Sequence, residues 1–327
     1  MNEVININRG KKEEEEVILE GESFKHESLL SEAEVESLYQ EAKATMKTFS
    51  PNLEDFYDDF PVEKVLADIN KADLLEAQWE WEDRNSLDKG TSKRFPKLAE
   101  YMLFKYLRTW SHDKILTVMP SRYDDYVRGI DMMLEFPEAQ NKDSKYSALS
   151  IDVVLGANEG QIAKLMDIKK FIIDAGVKKN GPKYFKVDGK NKFSGFMAPG
   201  VVSLSRGSIE KILVQEQEGK TEDIEKSMTP HIVAVQLLEQ YKGFEAYVRS
   251  VGQEDIANAY KQAHENLEDA ASHLMGDLAF NKKMDEIVES VPAIKNIRIF
   301  FKELASGQYL EDAQKIIEDE KKYAEAA

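Results

Sequence analysis

Between Ser121 and Gly156 the chain carries two short apolar runs, RGIDMMLEF and YSALSIDVVLG, joined by a polar loop containing Asn141, Lys142 and Asp143. Each run has the length of a buried strand, and each holds one aspartate where such a strand ordinarily holds Val or Ile. Side chains alternate along a strand, so Asp131, Met133 and Glu135 share one face and Met132, Leu134 and Phe136 the other. In the second run Asp152 and Val154 share a face, opposite Ile151, Val153 and Leu155. An unpaired carboxylate inside a strand costs several kcal/mol, and two on adjacent strands repel each other. A cation between them, or a proton on one of them, relieves that cost. The pattern therefore points to a metal site.

Composition narrows the function classes. The chain has 327 residues, 42% hydrophobic and 32% charged, with a net charge of −17. That is room for one large domain with additions or for two ordinary ones. So acidic a chain is not a general nucleic-acid coat, because phosphate affinity rests on Lys and Arg, although an average can hide a local basic patch. The absence of cysteine excludes disulfides, thiolate metal sites and a cysteine nucleophile. There is no apolar run near the roughly 18 residues needed to cross a bilayer, and no signal-peptide apolar region at the start. The expectation is a soluble cytoplasmic protein with no membrane partner.

Residues 1–22 contain KKEEEE and few aromatics, and are expected to form a disordered acidic tail, either solvated or docking on a basic partner. Residues 23–94 read as a helical N-terminal region. Ser31 and Glu34 form a capping-box pattern, and a second stripe is built from Val65, Leu66, Ile69, Leu74, Leu75 and Trp79. Residues 95–250 read as an α/β core. Pro96 sits in the first turn of a strongly amphipathic helix, FPKLAEYMLFKYLRTW. ILTVMP is a strand candidate, followed by the two aspartate-bearing strands, a helix ending near Gly176, and the strands KYFKV and GFMAPGVVSLS. Residues 251–327 read as a helical C-terminal region. The architecture expected is α/β, a central mixed sheet with helical extensions at both ends.

The helix-strand-strand-strand-helix-strand order, with Asp131 in RGID and Asp152 in SIDVV, resembles the core of the PD-(D/E)XK nuclease superfamily. That resemblance covers residues 95–213. It implies an α-β-β-β-α-β core in which the two acids bind a divalent metal, commonly Mg²⁺, and a lysine two residues after the second acid positions or activates water. Here the lysine position is Val154. Some members carry this lysine on the following helix, where Lys164, Lys169 and Lys170 stand, with Lys169 or Lys170 taken as the replacement. Glu100 falls where several members carry a further acid. The resemblance thus implies a Mg²⁺-dependent phosphodiesterase acting on nucleic acid, with Asp131, Asp152, Glu100, Lys169 and Lys170 as catalytic residues and Asp131 and Asp152 as the metal ligands. YDDYVRGID with ALSIDVV is also similar to proteins of small-genome candidate-phylum bacteria, which supplies no activity.

Lysines concentrate directly after the aspartate strands, and Lys164, Lys178, Lys179 and Lys183 are the candidates for phosphate contact. The bland reading is a solvated lysine-rich loop. Asp124 and Asp125 are either additional ligands or turn and cap residues. The rival to the enzyme is a catalytically inactive nuclease-like scaffold. In it Asp131 and Asp152 are paired with Arg128, Arg206 or backbone amides, and protein partners bind through the acidic tail and the C-terminal helices. Other chemistries fail on spacing. A phosphate loop at Gly219-Lys220-Thr221 needs a glycine at Val214, and His264 and His273 lie on roughly opposite faces of one helix.

Overall fold

The computed structural model describes residues 28–85, 94–136, 148–156, 159–175, 181–187, 191–192, 197–275 and 291–306. Helix α1 (Glu32–Phe49) opens on the Ser31/Glu34 capping box, both halves of which form. A single 3-10 turn (Leu53–Phe56) leads to α2 (Val62–Asn85). The apolar stripe of α2 differs from the expected one: Val65 and Ala72 are buried, whereas Leu66 and Leu74 face solvent. The helix packs mainly on the short 3-10 turn and on α4, a narrow contact that buries few positions per turn.

Helix α3 (Arg94–Trp110) buries Leu98, Met102, Leu103, Tyr106, Leu107 and Trp110 in the main core. Strand β1 (Leu116–Val118) follows, and then α4 (Arg122–Arg128), a two-turn helix where the sequence suggests only a turn. Strands β2 (Met132–Glu135) and β3 (Ala148–Leu155) carry the expected alternation. Met132, Leu134 and Phe136 enter the main core, while Met133 packs on the opposite side with Ile130, Phe185 and Met197. Helix α5 (Glu159–Ala175) crosses back to the sheet. Among the described residues the KYFKV segment does not join the central sheet. Its strand β4 (Lys186–Val187) pairs with β5 (Asn191–Lys192), as a separate antiparallel ribbon.

Strand β6 (Ala198–Leu204) completes a four-stranded sheet in the order β1-β2-β3-β6. The first three strands are antiparallel, with Met132 opposite Ile151 and Leu134 opposite Leu149, and β6 runs parallel to β3. Among the described residues, α6 (Arg206–Gln217), α7 (Thr221–Glu225), α8 (Thr229–Ser250), α9 (Glu254–Met275) and α10 (Pro292–Ser306) follow. Helices α9 and α10 each pack on α8, and Phe244, Tyr260, Leu267 and Phe300 lie in the same core as the sheet. The molecule is a mixed α/β fold dominated by helix.

The outer edge of β6 would present unpaired backbone groups to its surroundings. Helix α8 closes it with two glutamines. Gln240 accepts from Val201 N at 2.9 Å and donates to Val201 O at 2.7 Å, and Gln236 does the same for Ser203 at 2.9 Å each. Four residues of helix rise about 6 Å and two residues of strand about 6.6 Å, so the two amides stay in step with the strand. Close approach of α8 needs Gly200, where a Cβ would lie 2.7 Å from the Tyr241 hydroxyl and 2.8 Å from Leu237.

Candidate active site

Two backbone features bring the acids together. Ser121 caps α4, and Gly129, with φ 67°, ends it in the left-handed conformation, so the chain reverses into Asp131. Asp131 then enters the sheet just ahead of β2. Its N–H donates to Ile151 O at 3.1 Å, and its Oδ2 accepts from Val153 N at 2.6 Å. One step beyond the Met132–Ile151 pair, it comes alongside Asp152. The register that buries the apolar residues of β2 and β3 therefore also sets the two aspartates side by side.

Helix α3 contributes Glu100, which lies among the buried residues Leu98, Ala99, Tyr101, Met102 and Leu103. One turn earlier, Lys97 Nζ donates to Glu100 Oε2 at 2.6 Å and to Asp125 Oδ2 of α4 at 3.1 Å. From α5, Lys164 Nζ donates to Asp152 Oδ2 at 2.7 Å. Four carboxylates and two lysines from α3, α4, the residue ahead of β2, β3 and α5 thus form one electrostatic unit. On its rim, Glu76 of α2 pairs with Arg122 and acts on Asp125 and Tyr126.

Positive charge is short in this unit. Burial, and then the charges of Asp125 and Asp152, push Glu100 up to about 7 against the opposing pull of Lys97. Burial, Glu100, Asp152 and Asp125 hold Asp131 well above the usual carboxylate range. Asp125 is raised by burial as well, with Lys97 opposing. The lysines shift in the complementary direction. Burial works against the Lys97 ammonium, but Glu100, Asp125 and Asp131 outweigh it and raise Lys97 well above its ordinary value. Burial likewise opposes Lys164, and Asp152 and Asp131 reverse the sign.

The other candidate residues occupy different places. Lys169 is buried on α5, lowered by burial, with Nζ 5.6 Å from the Tyr247 ring centroid rather than on the aspartates. Lys170 points to solvent on the same helix. Lys183 is paired with Asp68 and enclosed by the rings of Phe60, Tyr123 and Tyr184, so its charge is already engaged. Lys178 and Lys179 lie outside the described residues. Asp124, fully buried, accepts from Lys183 N at 2.6 Å, Tyr184 N at 2.9 Å and Ser121 Oγ at 2.8 Å. It ties the 181–187 segment to α4. Neither Arg128 nor Arg206 seals the aspartates: Arg128 approaches Asp124 at 3.9 Å, and Arg206 pairs with Glu210 at 2.8 Å. Val154 is half-buried against the main core.

Sequence reasoning did not single out Lys97. The available signal was its position three residues before Glu100, on the same helical face as an acid set in an otherwise apolar stretch. Among the described residues no group of three or more acids or histidines closes around a position for a metal ion. The distances give the reason: Lys97 holds Glu100 and Asp125, and Lys164 holds one oxygen of Asp152. Asp131 and Asp152 are hard oxygen donors of the kind Mg²⁺ takes, with Lys164 already on one oxygen of Asp152. No family model, curated protein or solved structure matches this chain.

Proposed function

We propose that this protein is a metal-dependent phosphodiesterase acting on nucleic acid, built on a PD-(D/E)XK-like core. The observation that carries the reading is the convergence of Glu100, Asp125, Asp131 and Asp152 with Lys97 and Lys164. The order of α3, three antiparallel strands, α5 and the parallel β6 supports it, with α4 as an insertion between β1 and β2. Asp131 and Asp152 are the residues that would hold Mg²⁺, and Glu100 lies close enough to act on both electrostatically. A bound divalent ion supplies a more acidic water and stabilises the departing phosphate oxygen. Lys164 takes the part of the lysine that Val154 lacks: its ammonium, already on Asp152, is placed to steady an anionic oxygen arriving beside that carboxylate. The Asp131 carboxylate is oriented by the Val153 amide, which leaves its second oxygen for the cation.

A second reading, an inactive scaffold, draws on Val154 and on the ion pairs that already engage Glu100, Asp125 and Asp152. Incubation of the full chain with labelled DNA and RNA oligonucleotides, single- and double-stranded, separates the two. The enzyme reading expects cleavage that needs Mg²⁺ or Mn²⁺, is abolished in Asp152→Asn, and falls roughly a hundredfold in Lys164→Met. Absence of cleavage on every substrate with either metal, or cleavage that persists in Asp152→Asn, supports the scaffold.

A further inference from the structure

Strand β6 ends at Leu204, and the chain turns through Ser205 into α6. At that corner, the carboxyl end of the parallel pair β3–β6, the first turns of three helices meet around one partly open pocket. Ser205 and Ser208 come from α6, Thr229 and Ile232 from α8, and Pro292 and Ala293 from α10. The pocket measures about 30 Å³, where a single water needs roughly 10–15 Å³. Ala293 and Ile294 pack with Val235 in a small apolar cluster that fixes the start of α10 on α8. Crevices outside the carboxyl ends of strands are where open α/β sheets ordinarily bind ligands.

Several donors at this corner are unused. First-turn N–H groups have no partner within their helix, and each helix start carries partial positive charge. Ser205 caps α6, its Oγ accepting from Ser208 N at 3.0 Å, but α8 begins with no side-chain cap. Helix α10 begins at Pro292, which has no N–H, and the Val291 carbonyl takes Ile294 N and Lys295 N. Ala293, 1% exposed, is then left with an N–H that has no partner among the described residues. A side chain gives an independent sign. Thr229 is 7% exposed and lines the pocket, and among the described residues its hydroxyl has no hydrogen-bond partner. A buried hydroxyl or N–H without a partner costs free energy that a ligand oxygen would recover. Ser205 Oγ and Ser208 Oγ lie 2.8 Å apart, and since one proton suffices for that bond, the other stays available. No described residue lining the pocket is acidic, in a chain of net charge −17.

We infer that this pocket binds a phosphate group. Thr229 Oγ1, the Ala293 amide and the Ser205–Ser208 hydroxyl pair would donate to its oxygens, and the three helix starts would supply the positive charge. The pocket is separate from the acidic cluster: Asp152 pairs with Val201, and Ser203, at the edge of the pocket, lies two residues farther along β6. The inference therefore stands without the phosphodiesterase reading.

Equilibrium dialysis of the full chain against radiolabelled inorganic phosphate, at pH 8 with EDTA and at constant ionic strength, tests it. Wild type is expected to bind one phosphate saturably. Thr229→Val removes one donor and keeps the shape, and is expected to weaken binding roughly three- to tenfold. Ser208→Asp sets a carboxylate at the start of α6, where a helix accommodates an acid, and is expected to abolish binding with circular dichroism unchanged. Asp131→Asn/Asp152→Asn is expected to bind as wild type does. Adenosine monophosphate as competitor identifies the source: displacement at a similar concentration shows a site for phosphate monoesters, and no displacement shows a site for the free ion. Absence of saturable binding in wild type, or binding undiminished in Thr229→Val or Ser208→Asp, overturns the inference. Loss of binding in Asp131→Asn/Asp152→Asn overturns it as well, by moving the phosphate to the acidic cluster. Should one of the two pocket variants fail to fold, the other decides.

Discussion

Glu100 illustrates how one side chain ties folding to function. It is buried on a helix face whose neighbours are apolar, and only Lys97 offsets its desolvation, so its carboxyl keeps a proton up to about 7 where an ordinary glutamate loses it near 4.5. Between those values the folded protein binds more protons than the unfolded chain. Stability therefore falls as pH rises from about 4.5 to about 7, and the loss persists above that. A gap of this size corresponds to on the order of 3 kcal/mol, and Asp125 and Asp131 act with the same sign. Urea unfolding of the metal-free protein at pH 5 and pH 8 should show wild type the less stable at pH 8. Glu100→Gln should reduce the difference between the two pH values by roughly 1–3 kcal/mol. Equal differences in wild type and variant would show that Glu100 is not held protonated by the fold. In the sequence Glu100 was a candidate only through the nuclease resemblance, and its partner was not visible at all, because a lysine at the edge of an amphipathic helix looks the same whether it faces water or a cluster of acids.

Secondary-structure elements were legible to the extent that their own periodicity decided them. Helix α3 and strands β2 and β3 follow from their apolar spacing, and the β2–β3 register that buries Met132, Leu134, Leu149 and Ile151 also sets the two aspartates together. Elements decided by distant contacts were not legible. Helix α4 is short and polar, and it is held by its Ser121 cap, the Gly129 reversal and the buried Asp124 bridge to Lys183 and Tyr184, 59 and 60 residues on. The α2 stripe misleads because α4 and a single 3-10 turn cover only part of it. Closure of the β6 edge by α8 belongs to the same category, since glutamines at i and i+4 have no special look in a sequence. Each of Gln236→Ala and Gln240→Ala strands a buried backbone N–H and C=O of β6. Each is expected to cost roughly 2–4 kcal/mol, read from the midpoint of denaturant unfolding. Loss of less than about 0.5 kcal/mol would show that water or backbone movement replaces the amide. At Gly243, a Cβ would lie 2.3–2.5 Å from the Phe301 ring. Gly243→Ala should therefore push α10 off α8 and cost roughly 1–3 kcal/mol, although alanine is the better helix former.

At the scale of the whole molecule, an acidic chain is proposed to act on a polyanion. The −17 charge repels nucleic acid at long range, but at physiological salt that field decays within about 8 Å. Recognition then depends on what stands at the site, where Lys97, Lys164 and a divalent ion would supply the positive charge. This also accounts for the way the lysine-rich stretch is used: Lys183 is spent on Asp68 and an aromatic cage, and Lys164 is spent on Asp152, so neither behaves as a free surface lysine. Among the described residues no helix is long and apolar enough to cross a membrane.

The measurement that bears most directly on the account is the thermal unfolding midpoint of the full chain at pH 8, with and without millimolar Mn²⁺, for wild type and for Asp131→Asn/Asp152→Asn. Two adjacent carboxylates short of positive charge should gain from a divalent ion that binds only the folded state. Wild type is therefore predicted to rise by several degrees with Mn²⁺. The double variant, relieved of the repulsion, is predicted to be at least as stable as metal-free wild type and to be indifferent to the metal. A wild-type midpoint unmoved by Mn²⁺, or a shift of the same size in the double variant, would contradict the assignment of Asp131 and Asp152 as the cation-binding pair.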